Sequence, residues 1–350
     1  MKSKRWGWLA AAAVTGMAFW ILARRRKQRG IRRVNRGVRV LVVGAGVVGS
    51  TYASRFAARG MDVTILARGE RLDDIDTYGL MQQDLITQRR HWSAVRVLGQ
   101  VEPPQSPQDE YDLIIVAVRH AQTLDAMSSI EPLVANTPVV VMQNNPSGAQ
   151  RLCEAIEDRS MMMAFPATGG YVENGVVYSL PLWFGRTFLG ESDGQPSQRL
   201  GQTARILRRA GIRVNVVPRI QDWLVTHAAV IAVLAGCVYH NGGRLARLTR
   251  RPREMQRYWD ALSEALDVLR QDRIPITPSR YEQDIQRPLW RRTARMFVLG
   301  QIPAASAVVD RHLAAAPEEM LALYRSLIER ADRVGHPAPH LRSLEAHFTE

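Results

Sequence analysis

At 350 residues, 46% of them hydrophobic and 23% charged, the chain has the length of two ordinary domains and the composition of a globular protein, which excludes the disordered and fibrous classes. A formal charge of +14 points toward nucleic acid until it is located: 12 of the 47 basic residues lie in residues 1–40, where there is no acid, leaving 35 bases against 33 acids in the rest. The body is therefore nearly neutral, and no nucleic-acid partner is expected.

The first element is an uncharged run, Trp6 to Ala23. As a helix it spans roughly 27 Å at 1.5 Å per residue, close to a bilayer core of ~30 Å. Trp6, Trp8, Phe19 and Trp20 sit near its ends, where amphipathic rings favour the membrane interface, and the arginine block from Arg24 onward places the following body in the cytoplasm. A cleaved signal peptide lacks support because Ile21, Leu22 and Ala23 make no small-x-small site. An organellar transit peptide is a poor fit for so apolar a run. Residues 1–37 are thus expected to be a single transmembrane helix with a basic linker, and the chain a single-pass membrane protein. The two cysteines, Cys153 and Cys237, form no disulfide framework.

From residue 38 the pattern alternates. VRVLVV (38–43) is a strand buried on both faces, GAGVVG (44–49) opens a helix, and MDVTILA (61–67) is the next buried strand. YDLIIVAV (111–118) and TPVVVMQN (137–144) are further strands, with a helix from Ala121 to Ala135 between them. This alternation predicts a Rossmann-type, doubly wound parallel sheet. GGYVENGVVYSLPLWFG predicts antiparallel strands covering one end of that sheet, Ser197 to Ala210 a helix, and IRVNVVP a last strand ending at Pro218. After Ile220 the sequence predicts helices only. QDWLVTHAAVIAVLAGCVYH is apolar all round, as the centre of a bundle requires, and Pro317 starts a long final helix that Gly335 ends. The expected domains are 38–218, binding a dinucleotide, and 219–350, all helical.

Gly44, Gly46 and Gly49 form GxGxxG between a strand and a helix, the context in which that spacing supplies a tight turn, a close backbone approach to pyrophosphate and close helix packing. With Ala45, Val47 and Val48 they make the phosphate-binding turn, whose helix amides complement the anion. At the end of the second strand ILARGER has Arg68 where an acid would hold a ribose 2′-hydroxyl, with Arg71 three residues on. That selects NADP over NAD, unless both arginines are only solvated surface groups.

LARG (66–69), VRHAQ (118–122) and QNN (143–145), in that order, resemble the LxARG, VKxxQ and QNG of ketopantoate reductases. The resemblance covers roughly residues 38–350 and implies a Rossmann domain followed by a helical one. It further implies that Arg68 and Arg119 bracket the adenosine 2′-phosphate, that Gln122 lines the cofactor groove, and that Asn144 sits near nicotinamide and substrate. Asn145 replaces the family glycine, a change that asparagine's tolerance of left-handed backbone would ease. In the helical half the family's lysine and two asparagines correspond to Val225, Ala229 and Val233, while Arg295 precedes Met296 and Val308 stands near the family's acid.

Ketopantoate is therefore not the expected substrate. Asn144 is the candidate for orienting the reacting groups, and the acid is His120, beside the cofactor strand end, a bound water or the substrate itself. His227 lies about 200° round the helix from Val225 and should face elsewhere. Arg291, Arg292 and Arg295 either bind an anionic substrate or form a solvated helix face, and no metal cluster is evident. The expectation is an NADPH-dependent oxidoreductase acting on a 2-keto acid or other carbonyl; the alternative is a membrane-anchored NADP(H)-binding sensor or scaffold without hydride transfer. The implied partners are a small-molecule substrate, the membrane through residues 6–23, and a second copy in a homodimer.

Overall fold

The computed structural model describes residues 37–348 apart from 107–108, 135–136, 147–151, 153–160, 181 and 183–184. The expected transmembrane helix and nearly all of its basic linker lie outside the described residues, as does Cys153.

Strands β1 (Arg39–Val43) and β2 (Asp62–Leu66) pair in parallel around helix α1 (Val47–Ala57). Helix α2 (Glu70–Tyr78) leads to β3 (Leu80–Asp84), β4 (Arg90–Ser93) and β5 (Arg96–Leu98). The chain then crosses to β6 (Leu113–Val116), helix α3 (Thr123–Val134) and β7 (Val139–Met142). Next come β8 (Met162–Phe165), β9 (Gly170–Glu173), β10 (Val176–Ser179), β11 (Thr187–Glu191), helix α4 (Gln198–Arg209) and β12 (Val214–Val216).

One sheet has eight strands in the order β12-β11-β8-β7-β6-β1-β2-β5, every pair parallel except β8 with β11. Its central strands are buried on both faces, which is why they read as continuous apolar runs. Val40 and Val42 pack on the α1 side, Leu41 and Val43 on the α3 side. Tyr52 fixes α1 to the far strands: its hydroxyl lies 2.5 Å from Thr187 Oγ1 and accepts the Ala167 amide at 3.1 Å.

The strands expected to cover one end of this sheet do something else. The β9–β10 hairpin joins β3 and β4 in a separate four-stranded sheet, β4-β3-β10-β9, which packs on α1. Residues 80–93 carry no clean apolar alternation, because β4 has no buried residue and Gln82 of β3 meets Ser179 through a hydrogen bond at 2.6 Å and not through apolar packing.

The second half is helical throughout its described residues, as expected. Helix α5 (Ile220–His240) is long and apolar enough to cross a membrane, yet 72% of its most apolar window is buried inside the fold. It is the centre of a bundle with α6 (Leu245–Arg250), α7 (Pro252–Gln271), α8 (Arg280–Gln286), α9 (Leu289–Gln301), α10 (Pro303–Ala315), α11 (Pro317–Val334) and α12 (Pro339–Arg342). Pro317 begins α11, and Gly335, at φ 69°, ends it in the left-handed conformation that glycine adopts without strain.

Candidate functional site

The chain runs from β1 to β2 on one side and later from β1's other side to β6, so the crevice above β1 and β6 is a topological switch point, the place where open α/β sheets bind ligands. Four adjacent strands end there, and each delivers one sequence-predicted residue: Gly44 after β1, Arg68 after β2, Arg119 after β6 and Asn144 after β7.

The three glycines answer to three different constraints. Gly44 has φ +103°, and a Cβ there would approach Ala117 O to 2.6 Å. A Cβ on Gly49 would collide with the Gly44 carbonyl oxygen, so this glycine lets α1 lie against β1. Around Gly46 a Cβ would meet nothing within 4 Å. Protein packing does not require glycine at that position, whereas close approach of a pyrophosphate to the backbone would. Gly46 caps α1 without a side-chain bond and the first turn has no acid, so the helix offers free amides and a positive dipole end. Ala45 is buried, Val47 and Val48 half-buried along this turn.

Arg68 is exposed and makes no hydrogen bond or ion pair among the described residues, as suits a cation kept for a ligand. Arg119 is also exposed at the start of the 3-10 turn His120–Gln122, where its carbonyl accepts Gln122 N at 2.8 Å; the Gln122 side chain is exposed. Arg71 departs from expectation. Its Nε donates to Ala45 O at 3.2 Å and its Nη1 to Gly175 O at 2.8 Å, tying the glycine turn to the β9–β10 hairpin. Burial lowers its pKa and Asp74 pulls the other way. Arg71 therefore braces the glycine turn, and Arg68 and Arg119 are the exposed cations at these strand ends.

Beyond β7 the site is polar and tightly bonded. Thr123 Oγ1 donates to Gln143 Oε1 at 2.5 Å, and Gln143 Nε2 faces His120 Nδ1 at 3.2 Å. As the Gln143 amide is placed, its Nε2 donates to His120 Nδ1, an arrangement that matches the Nε2–H tautomer. Partial desolvation lowers the His120 pKa, against an opposing pull from Glu319. Asn144 Nδ2 donates to Glu319 Oε1 at 2.8 Å, a bond between the two halves of the chain. This leaves Asn144 Oδ1 buried without a partner among the described residues. An unmet buried acceptor costs about 1–3 kcal/mol, which a hydroxyl or amide of a ligand would recover. The unfilled space at Gly46, the unpaired Arg68 and this acceptor together fit a nicotinamide dinucleotide.

Glu319 and His312 were not legible as site residues. Glu319 stands in the first turn of α11 beside Glu318, where acids ordinarily complement a helix dipole. His312 is half-buried on α10, its pKa lowered by desolvation and partly restored by Glu319. No local spacing links either residue to Asn144.

The helical face opposite is closed. Val225 and Ala229 are 6% and 4% exposed and, with Pro146, Leu269, Leu323 and Arg330, line a space of about 10 Å³. That is about the volume that admits a single water. Arg330 locks the closure, donating to Pro146 O at 2.8 Å and pairing with Asp272. Val308 is buried, 3.8 Å from the position of a Cβ on Gly169. His227 is stacked on Trp223 and packed against Phe165, with its pKa pushed down to about 3 by burial; it is structural, as its helical angle predicts. Arg292 donates to Ile285 O, Arg295 pairs with Asp284, and Arg291 lies over Trp290, so none of the three contacts Asn144. Asn145 is fully buried without positive φ, so the left-handed tolerance that would ease its replacement of glycine is not used. Among the described residues no group of acids, histidines and cysteines could hold a metal.

Residues 40–194 match the family model described as ketopantoate reductase PanE/ApbA. A 2-dehydropantoate 2-reductase of Pyrococcus horikoshii is 27% identical over 191 residues, 53% of this chain and 58% of that protein. One from Archaeoglobus fulgidus is 27% identical over 210 residues, 58% of this chain and 66% of that protein. The match thus spans less than two thirds of these relatives. Among solved structures, the PanE/ApbA family ketopantoate reductase of Ralstonia eutropha JMP134 aligns with a TM-score of 0.69 at 21% identity, covering 89% of this chain and 97% of that one. D-mandelate dehydrogenase, solved with NADH and anilino(oxo)acetate, aligns with a TM-score of 0.71 at 15% identity over the same shares of each chain. At such identities the likeness establishes the fold, and it extends past residue 194 into the helical half.

Proposed function

We propose that the chain is a member of the ketopantoate reductase family, as the match over residues 40–194 supports, and an NADPH-dependent oxidoreductase for a 2-keto acid or other carbonyl different from ketopantoate. The observation that carries this is the Asn144–Glu319 bond: a polar centre persists above the cofactor turn while the Val225 face is filled with hydrocarbon. Gly44, Ala45, Gly46, Val47, Val48 and Gly49 hold the pyrophosphate, Arg68 and Arg119 the 2′-phosphate, and Gln122 lines the groove. NADPH, when bound, supplies the hydride. Glu319 fixes the Asn144 amide so that Oδ1 meets a donor on the cofactor or substrate. Neutral His120 keeps Nε2–H to stabilise the oxygen that gains negative charge, and the proton comes from water at its exposed edge. That a fold neighbour holds NADH with an oxoacetate supports the substrate class. Residues 6–23 hold the body at the cytoplasmic side of a membrane.

The test is NADPH consumption by the purified full-length chain across a panel of 2-keto acids, with the corresponding 2-hydroxy acids and NADP in reverse. Turnover is expected for at least one pair, with ketopantoate slow or inert; ordinary enzymatic rates on ketopantoate contradict the reading. The nearly filled space at Val225 favours a second reading, a cofactor-binding sensor. Tight NADPH binding with no turnover across the panel would select it.

A further inference from the structure

Helix α9 has two apolar sides. One packs: Met296 lies against the bundle core, and buried Gly300 sits so close to α6 that a Cβ would collide with Thr249. The other faces solvent. Trp290 is 68% exposed, Phe297 44% and Val298 60%. At 3.6 residues per turn, Trp290, Ala294, Phe297 and Gln301 fall in one stripe with Val298 beside it, and Arg291 and Arg295 run along its flank. A monomeric soluble protein rarely leaves a large ring and two apolar neighbours together in water without a use for them.

The charge around this stripe is one-sided. Arg280, Arg287, Arg291, Arg292 and Arg295 face only Glu282 and Asp284 between residues 280 and 301, and Arg287 and Arg295 share the single carboxylate of Asp284, at 2.8 and 3.3 Å. Arg291 lies over the Trp290 ring at 5.1 Å, an arrangement that carries the cation along with the ring.

We propose that α9 is an interfacial helix that lies on an anionic bilayer, with Trp290, Phe297 and Val298 among the acyl chains and Arg291 and Arg295 at the lipid phosphates. An apolar stripe with arginines on its margin is the chemistry such surfaces recognise. A second copy of the chain fits less well, because a two-fold interface sets a patch against itself and would bring these arginines together. The proposal rests on the reading of residues 6–23 as a membrane anchor. The 13 residues from Arg24 to Arg36 reach at most about 45 Å, so an anchored body keeps α9 at high local concentration near the surface, and two weak attachments become one firm one.

The test uses the full chain with Cys153→Ser and Cys237→Ala, carrying an environment-sensitive fluorophore on Val298→Cys. It is reconstituted in nanodiscs of phosphatidylcholine with phosphatidylglycerol, or of phosphatidylcholine alone. A label on Ser128→Cys, an exposed position on α3, gives the aqueous reference. In the anionic discs the label at 298 should shift to the blue and be quenched by spin-labelled lipid, and in zwitterionic discs much less. The Trp290→Ser/Phe297→Ser variant should weaken this at least about tenfold, since each ring loses its apolar burial. Aqueous emission in both discs overturns the proposal, as does protection of the label in a lipid-free dimer, which would give the face to a second copy. Retention in the discs through a high-salt wash reads the anchor separately. If the chain washes out, the anchor reading fails, and the same label with free anionic vesicles still decides the docking.

Discussion

Two regions of the molecule, the strand ends and one face of α5, have taken opposite courses. The strand ends at Gly44, Arg68, Arg119 and Asn144 are polar, and each keeps something unfilled: the space at Gly46, the unpaired Arg68, the Asn144 acceptor. The face of α5 at Val225 and Ala229 is apolar and borders a space of only about 10 Å³, and Val233 is fully buried in the bundle core. A nucleotide turn is built from backbone and three glycines, so it survives only if its geometry survives. A catalytic helix face is built from side chains, and hydrocarbon can replace them with no change of fold.

The largest expected effect comes from forcing the second surface to resemble its relatives. Val225→Lys puts an unpaired ammonium at a site 6% exposed, and should cost several kcal/mol in chemical denaturation. It should restore no ketopantoate turnover, because Ala229 and Val233 leave the lysine desolvated with a lowered pKa. Stable folding together with gained activity would break the contrast.

On the first surface, Arg68→Ala should weaken NADPH by roughly tenfold to a hundredfold, the ~1.5–3 kcal/mol of a charge-assisted hydrogen bond, and leave NADH nearly unchanged in titration calorimetry. Equal loss for both would make Arg68 structural.

The glycines separate packing from binding. Gly49→Ala should lower stability without cofactor by about 1–3 kcal/mol, since its Cβ meets the Gly44 carbonyl. Gly46→Ala should unfold like the parent and lose affinity only. Matching unfolding curves for both variants would contradict the assignment.

His227 gives the smallest effect per unit of the variable. Its pKa falls from 6.5 to about 3 on folding, so above pH 6.5 both states are neutral and stability is unaffected. Below that the unfolded chain binds a proton that the folded chain refuses, and stability should drop by about 1.4 kcal/mol per pH unit until the folded residue titrates. His227→Phe should flatten this acid limb; an unchanged slope would place the titration elsewhere.

Local order in the sequence carried the central parallel strands, the glycine turn and the bundle's central helix, because each is set by apolar runs and short spacings. The small sheet of β3 and β4 was not legible, since Gln82, Gln83, Arg90 and His91 show no apolar alternation. Arg71 looked like a phosphate ligand because it follows Arg68, whereas two backbone carbonyls claim it. Glu319 lies 175 residues from Asn144, and only the docking of α11 on the β7 end brings them together.

That pair is the account's most exposed point. The decisive measurement is a double-mutant cycle of Asn144→Ala and Glu319→Ala on single-turnover hydride transfer with the best carbonyl of the panel. The account predicts that each single variant lowers the rate by about a hundredfold through lost positioning, and that the double variant is no worse than either. Full activity in Glu319→Ala, or losses that simply multiply, would contradict it.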